Sequence, residues 1–110
     1  MYPNANWNDI EWVNVRPGVR RKAFSGNGAT FAMNELQPSH APLPHSHPFE
    51  QIVYIAAGTC DYHVAEEVYR LAPGGMLVVP PNVEHYAVVV GDDALINFDI
   101  FTPRREEYVQ

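Results

Sequence analysis

The stretch PHSHPFEQIVYIAAG, residues 44–58, decides how this chain is read: two histidines two residues apart stand before a run of β-branched and aromatic residues that closes on glycine. Side chains alternate along an extended strand, so His45 and His47 point the same way, with Cα atoms about 6.5 to 7 Å apart. That is a workable bite for one metal ion. Gln51 shares their parity, but a straight strand at about 3.3 Å per residue carries it about 20 Å from His45. The chain must bend for all three to meet. Pro48 supplies the place, because it fixes φ and removes a backbone donor just after His47.

Working outward, 10 prolines and 7 glycines separate short β-branched and aromatic runs, which argues for many short strands joined by tight turns. Strands are expected over 19–24, 29–36, 50–56, 59–64, 67–71, 76–79, 84–90 and 94–101, and no long stretch carries a 3.6-residue period. The expectation is an all-β fold, two sheets closed into a small barrel or jelly roll around a central cavity. A chain of 110 residues suffices for one domain that buries about two-thirds of its unfolded surface, so residues 1–110 are expected to form a single domain. Residues 1–15, with Trp7 and Trp12, read as an arm that packs on a barrel edge or on a partner subunit.

Cys60 stands alone, so nothing calls for an oxidising compartment, and it reads as a small buried hydrophobe. No segment approaches the roughly 20 apolar residues of a membrane helix, and the N-terminus lacks the pattern of a secretory signal. A cytoplasmic protein with no membrane partner is expected. The net charge of −6 leaves no basic face for nucleic acid. Arg16, Arg20, Arg21 and Lys22 form one short basic cluster, read first as a solvated strand or loop edge and second as a local handle for an anionic ligand.

A third imidazole has its place at His85, in PGGMLVVPPNVEHYAVV, residues 73–89, where turn, strand and second turn precede the histidine. Asn82 tolerates a left-handed conformation in that second turn. Three neutral imidazoles and one oxygen donor, with coordination positions left open, make a usual catalytic metal site.

With these residues in place the sequence resembles the cupin superfamily of small β-barrels. His45, His47, Gln51 and Gly58 fall at the spacings of its first motif, and Gly74, Pro80 and His85 at those of its second. Four positions depart: Ser39 and Asn82 stand for glycines, Gln51 for glutamate and Val89 for asparagine, and none removes a histidine. The resemblance implies a cupin barrel with His45, His47, Gln51 and His85 around a divalent transition metal (nickel, zinc, iron or manganese). The Gln51 departure has chemical content. A neutral amide leaves the full charge on the ion, which favours polarising a substrate oxygen over oxygen chemistry.

In DALINFDIFTPRREEY, residues 93–108, Asn97, Asp99 and Phe101 share one strand face, while Ile96, Phe98 and Ile100 share the other. Burying an aspartate on such a strand is expensive without a partner. On a shared cavity face, Asp99 is a candidate acid or base and Phe101 a wall for a substrate ring. Arg104 or Arg105 is placed to make a paired hydrogen bond to a carboxylate. This ending, with GVRRKAF at residues 18–24, is similar to the KdgF-type pectin-degradation cupins. That resemblance implies an isomerase that linearises 4,5-unsaturated uronates from pectin or alginate to 5-keto-4-deoxyuronate. It further implies Asp99, Phe101 and Arg105 around a small anionic sugar-acid substrate, and a homodimer. A metal-dependent dioxygenase and a non-catalytic sugar-binding cupin are the alternatives. Of the remaining groups, His63 reads as structural or solvated, His40 as loop surface, and Tyr62, Tyr86 and Tyr108 as packing that could furnish hydroxyls.

Overall fold

Each short run turns alternate side chains inward, and nine strands result. The computed structural model describes residues 1–109, and the strands are β1 (Val13–Arg16), β2 (Val19–Ser25), β3 (Thr30–Leu36), β4 (Glu50–Ala57), β5 (Thr59–Val64), β6 (Glu67–Leu71), β7 (Met76–Val79), β8 (His85–Val90) and β9 (Leu95–Thr102). They form a six-stranded sheet, β1-β2-β3-β9-β4-β7, and a three-stranded sheet, β6-β5-β8, with every pair antiparallel. This is the two-sheet, all-β architecture that the runs of residues imply.

Eight strands match expectation within one residue, and β1 is an addition. Its four residues are mostly exposed and lack an apolar alternation, so it exists by pairing: Val13 lies opposite Arg21 and Asn14 opposite Arg20 across the Pro17-Gly18 turn. Residues 13–15 of the expected arm are thus an edge strand. The preceding residues fold back on the same chain, where Trp7 tilts over Phe31 and Phe98 at 5.4 and 6.2 Å between ring centroids.

The inner faces carry two sets of side chains. Val19, Leu36, Val53, Ile55, Cys60, Val64, Val79 and Leu95 belong to the apolar core. The same strands β4 and β9 also turn Gln51, Asn97, Asp99 and Phe101 inward. Register sets the two kinds side by side: Gln51 stands opposite Phe101, Val53 opposite Asp99 and Ile55 opposite Asn97. Cys60 is fully buried, and burial pushes its thiol up to about 11, which keeps it an inert core residue.

Gly58 carries the chain from one sheet to the other. Its φ is +80°, and a Cβ there would lie 2.6 Å from the carbonyl oxygen of Ala94, which no backbone can accept without moving. Gly74 has φ +92° but open space around the missing Cβ. The pair separates backbone strain from crowding. Gly74→Ala is expected to lower stability by about 1 to 2 kcal/mol from φ alone, and Gly58→Ala to cost about 1 to 3 kcal/mol beyond that. Urea unfolding of both variants measures the difference, and equal losses would refute the crowding.

Candidate metal centre

The bend expected after His47 is present at Pro48 and Phe49, and β4 begins at Glu50. An isolated bridge pairs His45 with His85, each accepting the other's backbone N–H at 3.2 and 2.9 Å, so the second histidine segment is drawn directly against the first. Asn82 takes φ +64°, the left-handed turn expected of it, and donates its N–H to the His47 carbonyl at 2.7 Å. These backbone contacts place the rings: one nitrogen from each of His45, His47 and His85 lies within 4.8 Å of the others.

Each ring is anchored in the same way. Nδ1 of His45 faces the Leu43 carbonyl at 2.7 Å, that of His47 the Phe49 carbonyl at 3.1 Å, and that of His85 the Val83 carbonyl at 2.9 Å. A carbonyl only accepts, so Nδ1 carries the proton and Nε2 holds a lone pair, the tautomer a metal requires. His85 Nε2 is buried with no hydrogen-bond partner among the described residues. His47 Nε2 meets Gln51 Oε1 at 3.0 Å, although the ring's other nitrogen also faces an oxygen. A neutral imidazole has one proton for these two acceptors, so one contact sets lone pair against lone pair. A divalent metal held by these Nε2 lone pairs and Gln51 Oε1 would satisfy both groups, so the residues fit such an ion.

Electrostatics reinforce the fit. Burial pushes His85 down to about 4, with His45, His47 and Arg105 adding to it, and burial lowers His47 as well. Both rings are therefore held neutral at ordinary pH, as ligation demands.

Gln51 connects this cluster to Asp99. Its amide N–H2 donates to Asp99 Oδ1 at 2.9 Å and to the Tyr62 hydroxyl at 3.3 Å. Asp99 also accepts from Asn97 at 2.9 Å and Asn34 at 2.7 Å. Burial still pushes its carboxyl up to about 7 against these donors and Arg105. Burial likewise raises the Tyr62 hydroxyl well above its ordinary value.

These groups line one cavity of about 420 Å³, which opens between β1, β2 and the C-terminal segment. Phe101 stands edge-on to His47 at 5.5 Å. Arg105 is framed by the rings of Phe49, Phe101 and Tyr108 at 5.0, 4.8 and 4.5 Å, while its Nε holds Glu107 at 2.8 Å. Arg104 turns outward to Glu106, which leaves Arg105 as the cavity arginine of that pair. Six of the seven sequence candidates line this cavity, and His85 lies beside it, its ring against those of His45 and His47.

Several surroundings differ from expectation. His40 is buried, with its ring held between the carbonyls of Gln37 and Ala87 at 2.9 and 3.1 Å, because the loop before the histidines packs against β8. It is a structural tie and not loop surface. Asn34 reaches the cavity unassigned by sequence reasoning, and of the basic cluster read second as an anion handle Arg21 turns inward, although strand parity with Leu36 and Val19 carried both signals. His63 stacks on Tyr86 at 4.3 Å, in keeping with its structural reading.

The fold recurs in solved structures. That of KdgF from Halomonas sp. superposes with a TM-score of 0.87 at 28% sequence identity, covering 99% of this chain and 100% of that one. An RmlC-like cupin from Shewanella frigidimarina NCIMB 400 gives 0.88 at 23% identity over 99% and 97% of the two chains, a likeness of fold. The polyketide cyclase RemF from Streptomyces resistomycificus shares the fold at 0.76 and 17% identity, over 94% and 80%. No curated protein sequence matches the chain significantly. Residues 32–101 match the Cupin domain family, a span that takes in both histidine segments and the strand of Asp99, and so this chain belongs to the cupin family and is KdgF-like in structure.

Proposed function

We propose that this cupin is a metal-dependent isomerase that linearises 4,5-unsaturated uronates from pectin or alginate breakdown to 5-keto-4-deoxyuronate in the cytoplasm. The observation that carries the reading is Asp99: a buried carboxyl lies one amide away from a three-histidine cluster, in a cavity whose wall holds Phe101 and Arg105. The similarity to KdgF from Halomonas sp. supports it.

His45, His47, His85 and Gln51 would hold the metal, which supplies a Lewis acid for a substrate oxygen when bound. Arg105 binds the substrate carboxylate and Phe101 packs against the ring. Asp99 accepts the hemiacetal hydroxyl proton as the bond from C1 to the ring oxygen breaks. The resulting enol becomes a ketone when a proton is delivered to C4. No electrons leave the substrate, so a neutral fourth ligand that disfavours redox cycling suits the reaction. Asn34, Asn97 and Gln51 keep Asp99 oriented with three amide donors.

The homodimer belongs to the same reading. On the outer face of the six-stranded sheet, Ile100, Ile52 and Val78 stand side by side, with Phe98, Tyr54 and Met76 in the next row, and all but half-buried Phe98 are exposed apolar side chains of the kind that mark an interface. Light scattering is expected to give a dimer that Met76→Lys shifts toward monomer; a monomeric wild type ends the dimer reading.

Calorimetric titration of metal-stripped protein is expected to show one divalent ion per chain, with ion at about a thousandfold excess over Kd adding about 4 kcal/mol of stability. His47→Ala and His85→Ala should each weaken binding by at least about 100-fold. Unchanged affinity in either variant would remove that ring from the site.

Turnover is read from loss of the unsaturated uronate absorbance. Asp99→Asn keeps the shape and metal content but removes the proton acceptor, and it is expected to lower kcat by about 10² to 10⁴. Wild-type rates in the variant would remove Asp99 from the chemistry, and a wild type no faster than buffer would end the isomerase assignment. Ligand binding without turnover would then favour a non-catalytic sugar-binding cupin.

A further inference from the structure

The chain has seven cationic side chains, and six are satisfied by the protein itself. Arg16 donates to the Ala41 carbonyl, Arg20 grips Glu35 through two nitrogens at 2.7 and 3.1 Å, and Lys22 donates to the Trp7 carbonyl at 2.7 Å. Arg70 holds Asp61, Arg104 holds Glu106 and Arg105 holds Glu107. Arg21 alone has neither a hydrogen bond nor an ion pair among the described residues.

Strand parity explains where Arg21 goes. On β2, Arg20 and Lys22 point to the outer face and Arg21 points inward with Val19, so it lines the cavity of the histidines and Asp99. Its guanidinium lies 3.7 Å from the centre of the Tyr108 ring, and that same ring carries Arg105 at 4.5 Å. One aromatic ring therefore holds two cations beside a half-enclosed cavity, and the pair shares one ion pair, from Arg105 to Glu107. Two like charges kept this close repel unless an anion joins them. Stacking fixes the plane of the Arg21 fork and leaves its five N–H donors free, the state in which a guanidinium is prepared for a planar carboxylate.

We propose that Arg21 is a substrate-binding residue that completes, with Arg105, a two-guanidinium site for the carboxylate of a sugar acid, with Tyr108 as the spacer between them. The proposal rests on the uronate reading for the identity of the acid. It supplies the unspent fork that Arg105, half engaged by Glu107, lacks. It also turns one member of the basic cluster at residues 16–22 into a ligand handle, while its neighbours stay structural.

The test uses D-glucuronate, a saturated uronate that cannot undergo the ring opening, titrated calorimetrically into wild type, Arg21→Gln and Arg21→Lys, with glucose and inorganic phosphate as comparison probes. Glucuronate is expected to bind wild type better than glucose, and Arg21→Gln to lose about 10- to 100-fold in glucuronate affinity with no change for glucose. Arg21→Lys, which keeps the charge without the fork, should fall between. An equal or greater loss for phosphate would identify a general anion site and overturn the carboxylate assignment. Glucuronate binding that survives Arg21→Gln, or is absent in wild type, would overturn it too, as would parallel losses for glucose and glucuronate. Urea midpoints for the three proteins verify that the fold persists. The isomerase reading is judged separately by turnover of the unsaturated uronate, so it can fail while Arg21 is upheld, and the reverse.

Discussion

The site depends on a single amide divided between two demands. Gln51 turns its oxygen toward His47 at 3.0 Å and its N–H2 toward Asp99 at 2.9 Å, so one side chain faces the histidine cluster as an acceptor and the buried carboxyl as a donor. A glutamate at this position has no proton to give when ionised. It would set a carboxylate against the Asp99 carboxylate in a poorly solvated space, where like charges cannot both stay ionised. The departure of Gln51 from the cupin pattern and the presence of Asp99 on the neighbouring strand are thus one feature. Each residue makes the other tolerable, and together they tie a buried carboxyl to the histidines.

The distribution of charge follows a similar economy. The chain is acidic overall, with 13 carboxylate residues against 7 cationic ones, yet its cavity mouth is cationic. Alternation along the strands achieves this by turning Arg20 to Glu35 on the outside and Arg21 to the interior. Exposed pairs of this sort contribute little stability, about 0 to 1 kcal/mol each. Their effect here is to occupy the outer cations and leave the inner ones facing the cavity, where a low-dielectric wall of Phe49, Phe101 and Tyr108 strengthens their field.

Much of this was legible in the residues. Eight strands follow from β-branched runs punctuated by proline and glycine, because short inward-outward alternation is what those runs encode. The bend after His47 and the left-handed Asn82 follow from local backbone chemistry, and parity alone placed Asp99 and Phe101 together. What escaped were features that only pairing creates. β1 has no apolar pattern of its own and forms because β2 offers an edge. His40 looks like a loop residue and is buried because its loop packs on β8. Arg21 shares the parity of Val19 within a basic run, but only the pairing of β2 with β3 shows which face of the strand turns inward. Local physics set the elements, and long-range register decided which polar side chains share a space.

The apolar core packed beside the polar groups makes the site affordable. The unpartnered ring nitrogen at His85 is unfavourable on its own, at about 1 to 3 kcal/mol for an unsatisfied group, and the Asp99 carboxyl is buried at a desolvation cost that its three donors offset only in part. Neither belongs to the apolar core, where Val53, Ile55 and Leu95 are fully buried and supply the hydrophobic term. Because core and site are built from the same strands, with Val53 directly opposite Asp99 and Ile55 opposite Asn97, the core holds the polar groups in place. A cation at the ring nitrogens and an anion at the guanidiniums would relieve the strain. A cavity whose unmet demands are of both signs, held a few ångströms apart on rigid strands, is suited to a ligand that brings an oxygen donor and a carboxylate in one molecule.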